Sequence, residues 1–283
     1  MIRFIRVSVA VAALFLCLGQ PVFAEKASFT VSFKDDETPY RVTAVYVLPG
    51  EWIPLSVPAG RYAISASTGN VVSITKNSWE WEAPRKAGVY PVTITSLRHF
   101  DAVVLNMVVL KTVDQLKPET RFHMGSYPSN PPRGFVEVTA ENVDTRVSPH
   151  FKLKQFLSKQ TPSFPQYIAI TERLVLKLEC VLEKVNETGV SCNTLTVMSG
   201  FRSPAYNRAI GNHTRLSRHQ WGDAADVLVM DLNKDGVING KDATAFYKIA
   251  EQTQFLGGLA SYRSNSAHGP FVHIDTRGFR ARW

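Results

Sequence analysis

Two imidazoles and a carboxylate stand in two short stretches of this chain. The first stretch is Ser217-Arg218-His219-Gln220-Trp221-Gly222-Asp223-Ala224-Ala225-Asp226. The second is Phe271-Val272-His273-Ile274-Asp275. Imidazole nitrogen and carboxylate oxygen suit zinc, and three protein ligands leave a fourth position open for water. The chemistry this indicates is metal-assisted hydrolysis, in which the ion activates water and polarises a carbonyl.

The elements around these residues have to bring them together. Ala225 to Met230 is apolar and partly β-branched, so Asp226 is expected to enter a strand with His219 on the loop before it. Gly222 lets the backbone turn between them. Phe271 to Ile274 is a second β-run, and two adjacent strands would converge Asp226 and His273 on one site. Upstream, Ile170, Leu174, Leu178, Val181, Leu182 and Val185 follow the helical period over 167–187, and Gly189 is a stop signal. Thr194 to Met198 reads as a short strand. Helix, strand, loop, strand, helix and strand in that order argue for a compact α+β domain over 148–283. Phe151, Leu153 and Phe156 are its first apolar anchors.

The full pattern is Ser-x-His-x-x-Gly-x-Ala-x-Asp, fulfilled by Ser217, His219, Gly222, Ala224 and Asp226. It follows Ser199-Gly200-Phe201-Arg202-Ser203 and precedes Tyr262 and the Phe-Val-His-Ile-Asp run. With these motifs the region from about 145 to 283 resembles the zinc D-Ala-D-Ala carboxypeptidase family. That family sits in the superfamily that also holds lysostaphin-type peptidases and the hedgehog signalling domain. The resemblance implies His219, Asp226 and His273 as zinc ligands. It implies Arg202 as the arginine over the substrate, holding a peptide carboxylate or the oxyanion; a salt bridge within the domain is the other reading. Ser217 is expected either to bond substrate or to shape the loop, and Tyr262 is expected at the substrate. Many members carry an acid three residues before the last zinc histidine; here that position is Pro270. The base is left between His268, which is favoured, and Asp275. Asp275 is also placed to orient a ligand imidazole from the same strand face.

A second metal loop is expected at Asp231-Leu232-Asn233-Lys234-Asp235-Gly236-Val237-Ile238-Asn239-Gly240-Lys241-Asp242. Its oxygen side chains and Gly236 match the spacing of the twelve-residue calcium loop, with Val237 contributing its carbonyl. Asp231, Asn233, Asp235, Val237 and Asp242 are therefore candidate calcium ligands, and Ala243 to Gln252 is the exiting helix. Calcium would act there as a structural brace.

The N-terminal half carries no catalytic constellation. Residues 1–24 read as a signal peptide, with Arg3 and Arg6 before an apolar run and Val22-Phe23-Ala24 at the cleavage site. Residues 25–112 read as a β-sandwich of short strands. Trp79-Glu80-Trp81-Glu82-Ala83-Pro84, followed by Ala87-Gly88-Val89-Tyr90, resembles the late strands of bacterial immunoglobulin-like domains. Residues 113–147, with Pro128, Pro131 and Pro132, read as a linker. Cleavage takes the formal net charge from +8 to +6 by removing Arg3 and Arg6. Cys180 and Cys192 then remain, and an even count in an exported chain favours one disulfide. No span able to cross a membrane follows the signal, and no nucleic-acid-binding signature is present.

These features together predict an exported, periplasmic zinc peptidase acting on peptidoglycan peptides, by carboxypeptidase or endopeptidase cleavage. The alternative is a zinc-containing wall-binding or structural protein without a competent base. The closing Arg277-Gly278-Phe279-Arg280-Ala281-Arg282-Trp283 either lines the cleft or packs beside it.

Overall fold

Alternating apolar and polar residues make the N-terminal region a pair of β-sheets. The computed structural model describes residues 25–160, 163–212 and 214–283, so the expected signal peptide lies outside the described residues. The nine strands are β1 (Lys26–Phe33), β2 (Asp36–Tyr40), β3 (Val42–Val47), β4 (Trp52–Ser56), β5 (Tyr62–Ala66), β6 (Asn70–Thr75), β7 (Ser78–Glu82), β8 (Gly88–Ser96) and β9 (Asp101–Val109). One sheet has the order β2-β1-β4-β7-β6 and the other β3-β9-β8-β5. They share one core. Val31, Phe33, Ile53, Leu55 and Trp81 come from the first sheet, and Val45, Ile94, Leu105 and Met107 from the second.

The four-stranded sheet buries its other face as well. Ala44 and Tyr46 of β3 and Val108 of β9 alternate with residues of the first core and belong to the core of the C-terminal region. Polar contacts reinforce this junction. Glu172 accepts from Lys34 Nζ at 2.7 Å and from the Tyr46 backbone N–H at 2.9 Å.

Residues 113–147 pack on their neighbours. They include α1 (Pro118–Met124) and β10 (Val136–Val138), which pairs antiparallel with β11 (Gln166–Ile168). Leu116, Met124, Phe135 and Val147 are buried in the C-terminal core. The prolines masked these scattered anchors, because the anchors follow neither a strand nor a helix period.

In the C-terminal region α2 (Glu172–Glu187) begins at Thr171, whose side chain accepts from the Leu174 N–H. Its apolar stripe, Leu174, Leu178, Val181, Leu182 and Val185, is buried as the periodicity predicts. Then follow β12 (Val197–Ser199), α3 (Pro204–Ala209), β13 (Ala224–Leu228), α4 (Gly240–Glu251), β14 (Gly258–Tyr262), β15 (Phe271–Asp275) and β16 (Ala281–Arg282). The strands form one sheet in the order β12-β13-β15-β14-β16. Among the described residues no helix is long and apolar enough to cross a membrane.

One expectation is corrected here and a second finds no support. Cys180 and Cys192 are free thiols, not a disulfide. Cys180 sits within α2 against the Tyr40 hydroxyl, at 3.8 Å. Cys192 lies beyond the helix end, where its N–H donates to Asn186 and its thiol to the Thr194 carbonyl. Asn186, which holds Cys192, lies six positions after Cys180 along α2, a rise of about 9 Å, and the two thiols have separate partners.

The calcium assignment is not supported either. Residues 231–242 do join a strand to a helix, but their carboxylates are taken by the loop's own amides. Asp231 accepts from the Asp235 and Gly236 N–H groups, and Asp235 from Val237. The Val237 carbonyl accepts from Asn239 Nδ2, and Asn233 Nδ2 donates to Asp235. Asp242 accepts from Leu232, Asn233 and Asn239. These acids are not gathered around a common point among the described residues. Asp, Asn and Gly close turns on neighbouring backbone N–H groups without an ion.

The shared core predicts that the two regions unfold together. Glu172→Ala should lower stability by about 1–3 kcal/mol, read as a lower midpoint in a single denaturant transition. Two separated transitions would refute the coupling.

Candidate metal centre

Strand register brings the ligands together. β13 and β15 pair antiparallel with Asp226 directly opposite His273, and side chains of directly opposed residues lie on the same face of a sheet. His219 arrives from a single 3-10 turn, Arg218–Trp221, that precedes β13. Gly222 ends that turn at φ 72°, and a Cβ there would come within 2.2–2.3 Å of the Ala169 backbone. Its carbonyl accepts the Thr171 N–H at 3.1 Å, so glycine is what lets the loop lie against the start of α2.

Three donor atoms converge. His219 Nε2 lies 3.2 Å from Asp226 Oδ1 and 3.3 Å from His273 Nδ1, and the last two are 2.9 Å apart. A tetrahedral zinc with bonds of about 2.0–2.1 Å sets its ligand atoms about 3.3 Å apart, so this triangle fits zinc with small adjustments. All three side chains are buried. The second nitrogen of each imidazole is committed elsewhere. His219 Nδ1 is 2.7 Å from the Gly200 carbonyl, and His273 Nε2 is 3.2 Å from Asp275 Oδ2. Such partners fix the ring and its tautomer, so that the other nitrogen is presented to the metal.

Charges around the centre are balanced in pairs. Burial alone would raise the Asp226 carboxyl, but His219 and His273 hold it well below the carboxylate range. Burial draws His219 below its ordinary value, Asp226 opposing. Burial also acts to lower His273, but Asp226 and Asp275 outweigh it and raise that imidazole. Arg202 donates Nη2 to Asp226 Oδ2 and Nε to Ser199 Oγ. It therefore makes the salt bridge and lines the cavity at once.

A cavity of about 570 Å³ opens over the ligands. Ser217 and Tyr262 are among the residues that line it. Tyr262 stacks on Phe271, and its hydroxyl accepts from Trp283 Nε1 at 2.8 Å. The two residues considered as bases are not brought to the cavity. His268 sits on the loop beyond β14, with Nε2 paired to Asn265 and Nδ1 to the Gly269 carbonyl. Asp275 is fully buried behind His273, where it accepts from Gly258 N–H and from Arg277. A Cβ on Gly258 would come within 2.3 Å of Asp275 Oδ2, so glycine makes room for this carboxylate. Asp275 is thus the group that orients His273.

Of the two readings of the closing segment, Arg277 and Trp283 take the first and line the cavity, the guanidinium lying 5.0 Å from the indole centroid. One residue escaped the sequence reading. Lys177 of α2 is buried and donates to the Asp275 carbonyl at 2.9 Å. Burial pulls its ammonium down to about 8, with Asp275 opposing and Arg282 assisting. The spacing of Asp275 and Arg277 was a usable signal, because residues two apart continue one strand face. Lys177 left none, since it lies on an otherwise ordinary helix.

Residues 149–275 match the family model described as Peptidase M15. Residues 149–275 are thus similar to peptidase M15, a family of the zinc D-Ala-D-Ala carboxypeptidase type. No curated protein matches the chain. The match spans the three ligands, Arg202, Asp275 and the whole of α2, and the zinc dependence of the family agrees with the His-Asp-His triangle in the matched region.

Metal affinity should depend on pH with a definite sign. In the metal-free protein His273 holds its proton above the ordinary imidazole value, and zinc must displace it. Apparent affinity should therefore rise as pH rises through that region and fall below it, as competition with a chromophoric chelator would measure. Asp275→Asn should weaken zinc binding about 10–100-fold, whereas His219→Ala should abolish it.

Proposed function

We propose that the protein is an exported zinc peptidase that hydrolyses peptidoglycan peptides, at D-Ala or related bonds. The observation that carries this reading is the triangle of His219, Asp226 and His273 donors inside the region that matches Peptidase M15. Its ligand nitrogens are oriented from behind, and its fourth side faces a cavity large enough for a peptide segment. His219, Asp226 and His273 would hold the zinc, which would supply a water of pKa about 7 and a Lewis acid for the carbonyl.

The chain's own groups divide the remaining work. Arg202 has Nε and Nη2 committed to Ser199 and Asp226, which leaves its Nη1 edge for a substrate carboxylate or the developing oxyanion. The Tyr262 hydroxyl accepts from Trp283 and so keeps its own proton to donate. Tyr262, Phe271 and Trp283 form an apolar wall beside His273. The immunoglobulin-like reading of the N-terminal region is supported by two sheets over one core; in this reading it is a supporting module of an enzyme that works outside the cytoplasm.

One observation favours the alternative of a wall-binding protein without turnover. Among the described residues the cavity is lined by no carboxylate but Asp226 and no imidazole but the two ligands. The two readings differ in an experiment. Purified cell wall incubated with the zinc-loaded protein should release D-Ala or new amines, and release should stop on chelation and return with zinc. Binding to wall without release would establish the alternative. Arg202→Ala should keep its zinc and lose about 10²–10³ in turnover; an unchanged rate would leave Arg202 only its salt bridge.

A further inference from the structure

Three guanidiniums line the metal cavity, those of Arg202, Arg218 and Arg277. Each is held in the same manner. Arg202 gives Nε to Ser199 and Nη2 to Asp226. Arg218 gives both Nε and Nη2 to Asp223, with Nε at 2.9 Å from Oδ2. Arg277 gives both to Asp275, at 2.9 and 2.5 Å. The three carboxylates are 5%, 4% and 0% exposed for Asp223, Asp226 and Asp275, so each arginine is clamped from the buried side. In all three, Nη1 has no partner among the described residues. A guanidinium fixed along one edge and free along the other is already oriented for a carboxylate, without the entropy that a loose surface arginine loses on binding.

Charge counting gives the class of ligand. The three arginines balance the three aspartates, so the charges of a bound zinc ion and of the buried Lys177 remain uncompensated. A substrate with two carboxylates offsets most of this charge; a neutral peptide offsets none. Arg202 belongs to the motif shared with the peptidase family, whereas Arg218 and Arg277 do not. These two are anchored close together, since Asp223 adjoins Ala224 of β13, the residue opposite Asp275 of β15. The Thr276 N–H also donates to the Asp223 carbonyl at 3.0 Å.

We infer that Arg218 and Arg277 form a second carboxylate-binding position, and that the preferred substrates are peptides bearing a carboxylate besides the one read by Arg202. This rests on the peptidase reading for the word substrate, but the binding position stands on geometry alone. Arg218 is the specificity residue of the pair, because its anchor Asp223 bonds none of the zinc ligands. Arg277 also steadies Asp275 and is in part a positioning residue.

The test uses zinc-loaded protein and two synthetic peptides. Both are N-acetylated and end in D-Ala-D-Ala; one carries an internal γ-linked D-glutamate with its α-carboxylate free, the other the same residue as the amide. Calorimetric titration should show the free acid binding about 10–100-fold more tightly, the size of one charge-assisted pair. Arg218→Gln should remove that preference while zinc content stays unchanged. If hydrolysis occurs, the loss should appear in KM, with kcat within about threefold. Should Arg218→Gln fold poorly because Asp223 is left unpaired, the double change Arg218→Gln with Asp223→Asn removes both charges and should also lose the preference. Equal binding of the two peptides, binding of neither, or a preference that survives loss of Arg218 would each overturn the inference. Acid-selective binding without any hydrolysis would support it and sink the peptidase reading instead.

Discussion

The pairing of Asp226 with His273 across β13 and β15 is the constraint on which the rest of the site depends. A slip of one residue in that register would send one of the two side chains to the opposite face of the sheet. What holds the register is burial. Every residue of β15 is buried, and so are four of the five in β13. Ala224 and Ala225 are small enough to let α-helical and loop neighbours approach, while Val272 and Ile274 fill the opposite side of the sheet from His273. The metal ligands therefore ride on the most firmly packed strands of the domain, and only His219 comes from a turn. That turn is held at both ends, by the Gly222 contact with Ala169 and by the Arg202 N–H to the His219 carbonyl.

Burying this many charges is tolerable only because they are paired. Isolated ions in an apolar interior are costly, whereas paired and hydrogen-bonded ones are retained. Asp226 has Arg202 and two imidazoles, Asp275 has Arg277 and His273, and Asp223 has Arg218. Preorganisation follows from the same pairs. The groups facing the cavity are fixed by partners behind them, so they need little rearrangement when charge develops in front.

The His-Asp-His triangle was legible in the sequence because one motif holds two of its members and the third sits on a short apolar run. α2 was legible because its stripe of Leu and Val follows the helical period without interruption. The second layer was not. Lys177 reaches Asp275 from an element almost a hundred residues earlier, and no local pattern encodes such a contact. The segment 113–147 looked like a linker because its buried residues are isolated among prolines and turns. The 231–242 loop shows a limit of spacing alone. Its Asp and Asn side chains suit ion ligands, yet they also suit capping of their own backbone, and the spacing does not separate the two. Cys180 and Cys192 misled by parity, since an even count says nothing about distance.

The N-terminal sheets take part in the same architecture. Both faces of β3 and β9 are covered, one by the first core and one by the second, so this region cannot swing away as a tethered module without exposing Tyr46 and Val108. Tyr46 and Lys34 both bond to Glu172 in the first turn of α2 or share its partner. One and a half turns further along that helix, Lys177 reaches the carbonyl of Asp275, and Asp275 orients His273. A run of contacts, part-buried at Glu172 and buried from Lys177 onward, thus joins the N-terminal sheets to the His273 imidazole. Packed interiors transmit displacement because they have few voids in which to absorb it. The β-rich region is accordingly part of the frame that sets the angle of α2, and through α2 the position of the imidazole, rather than a domain merely joined to the peptidase.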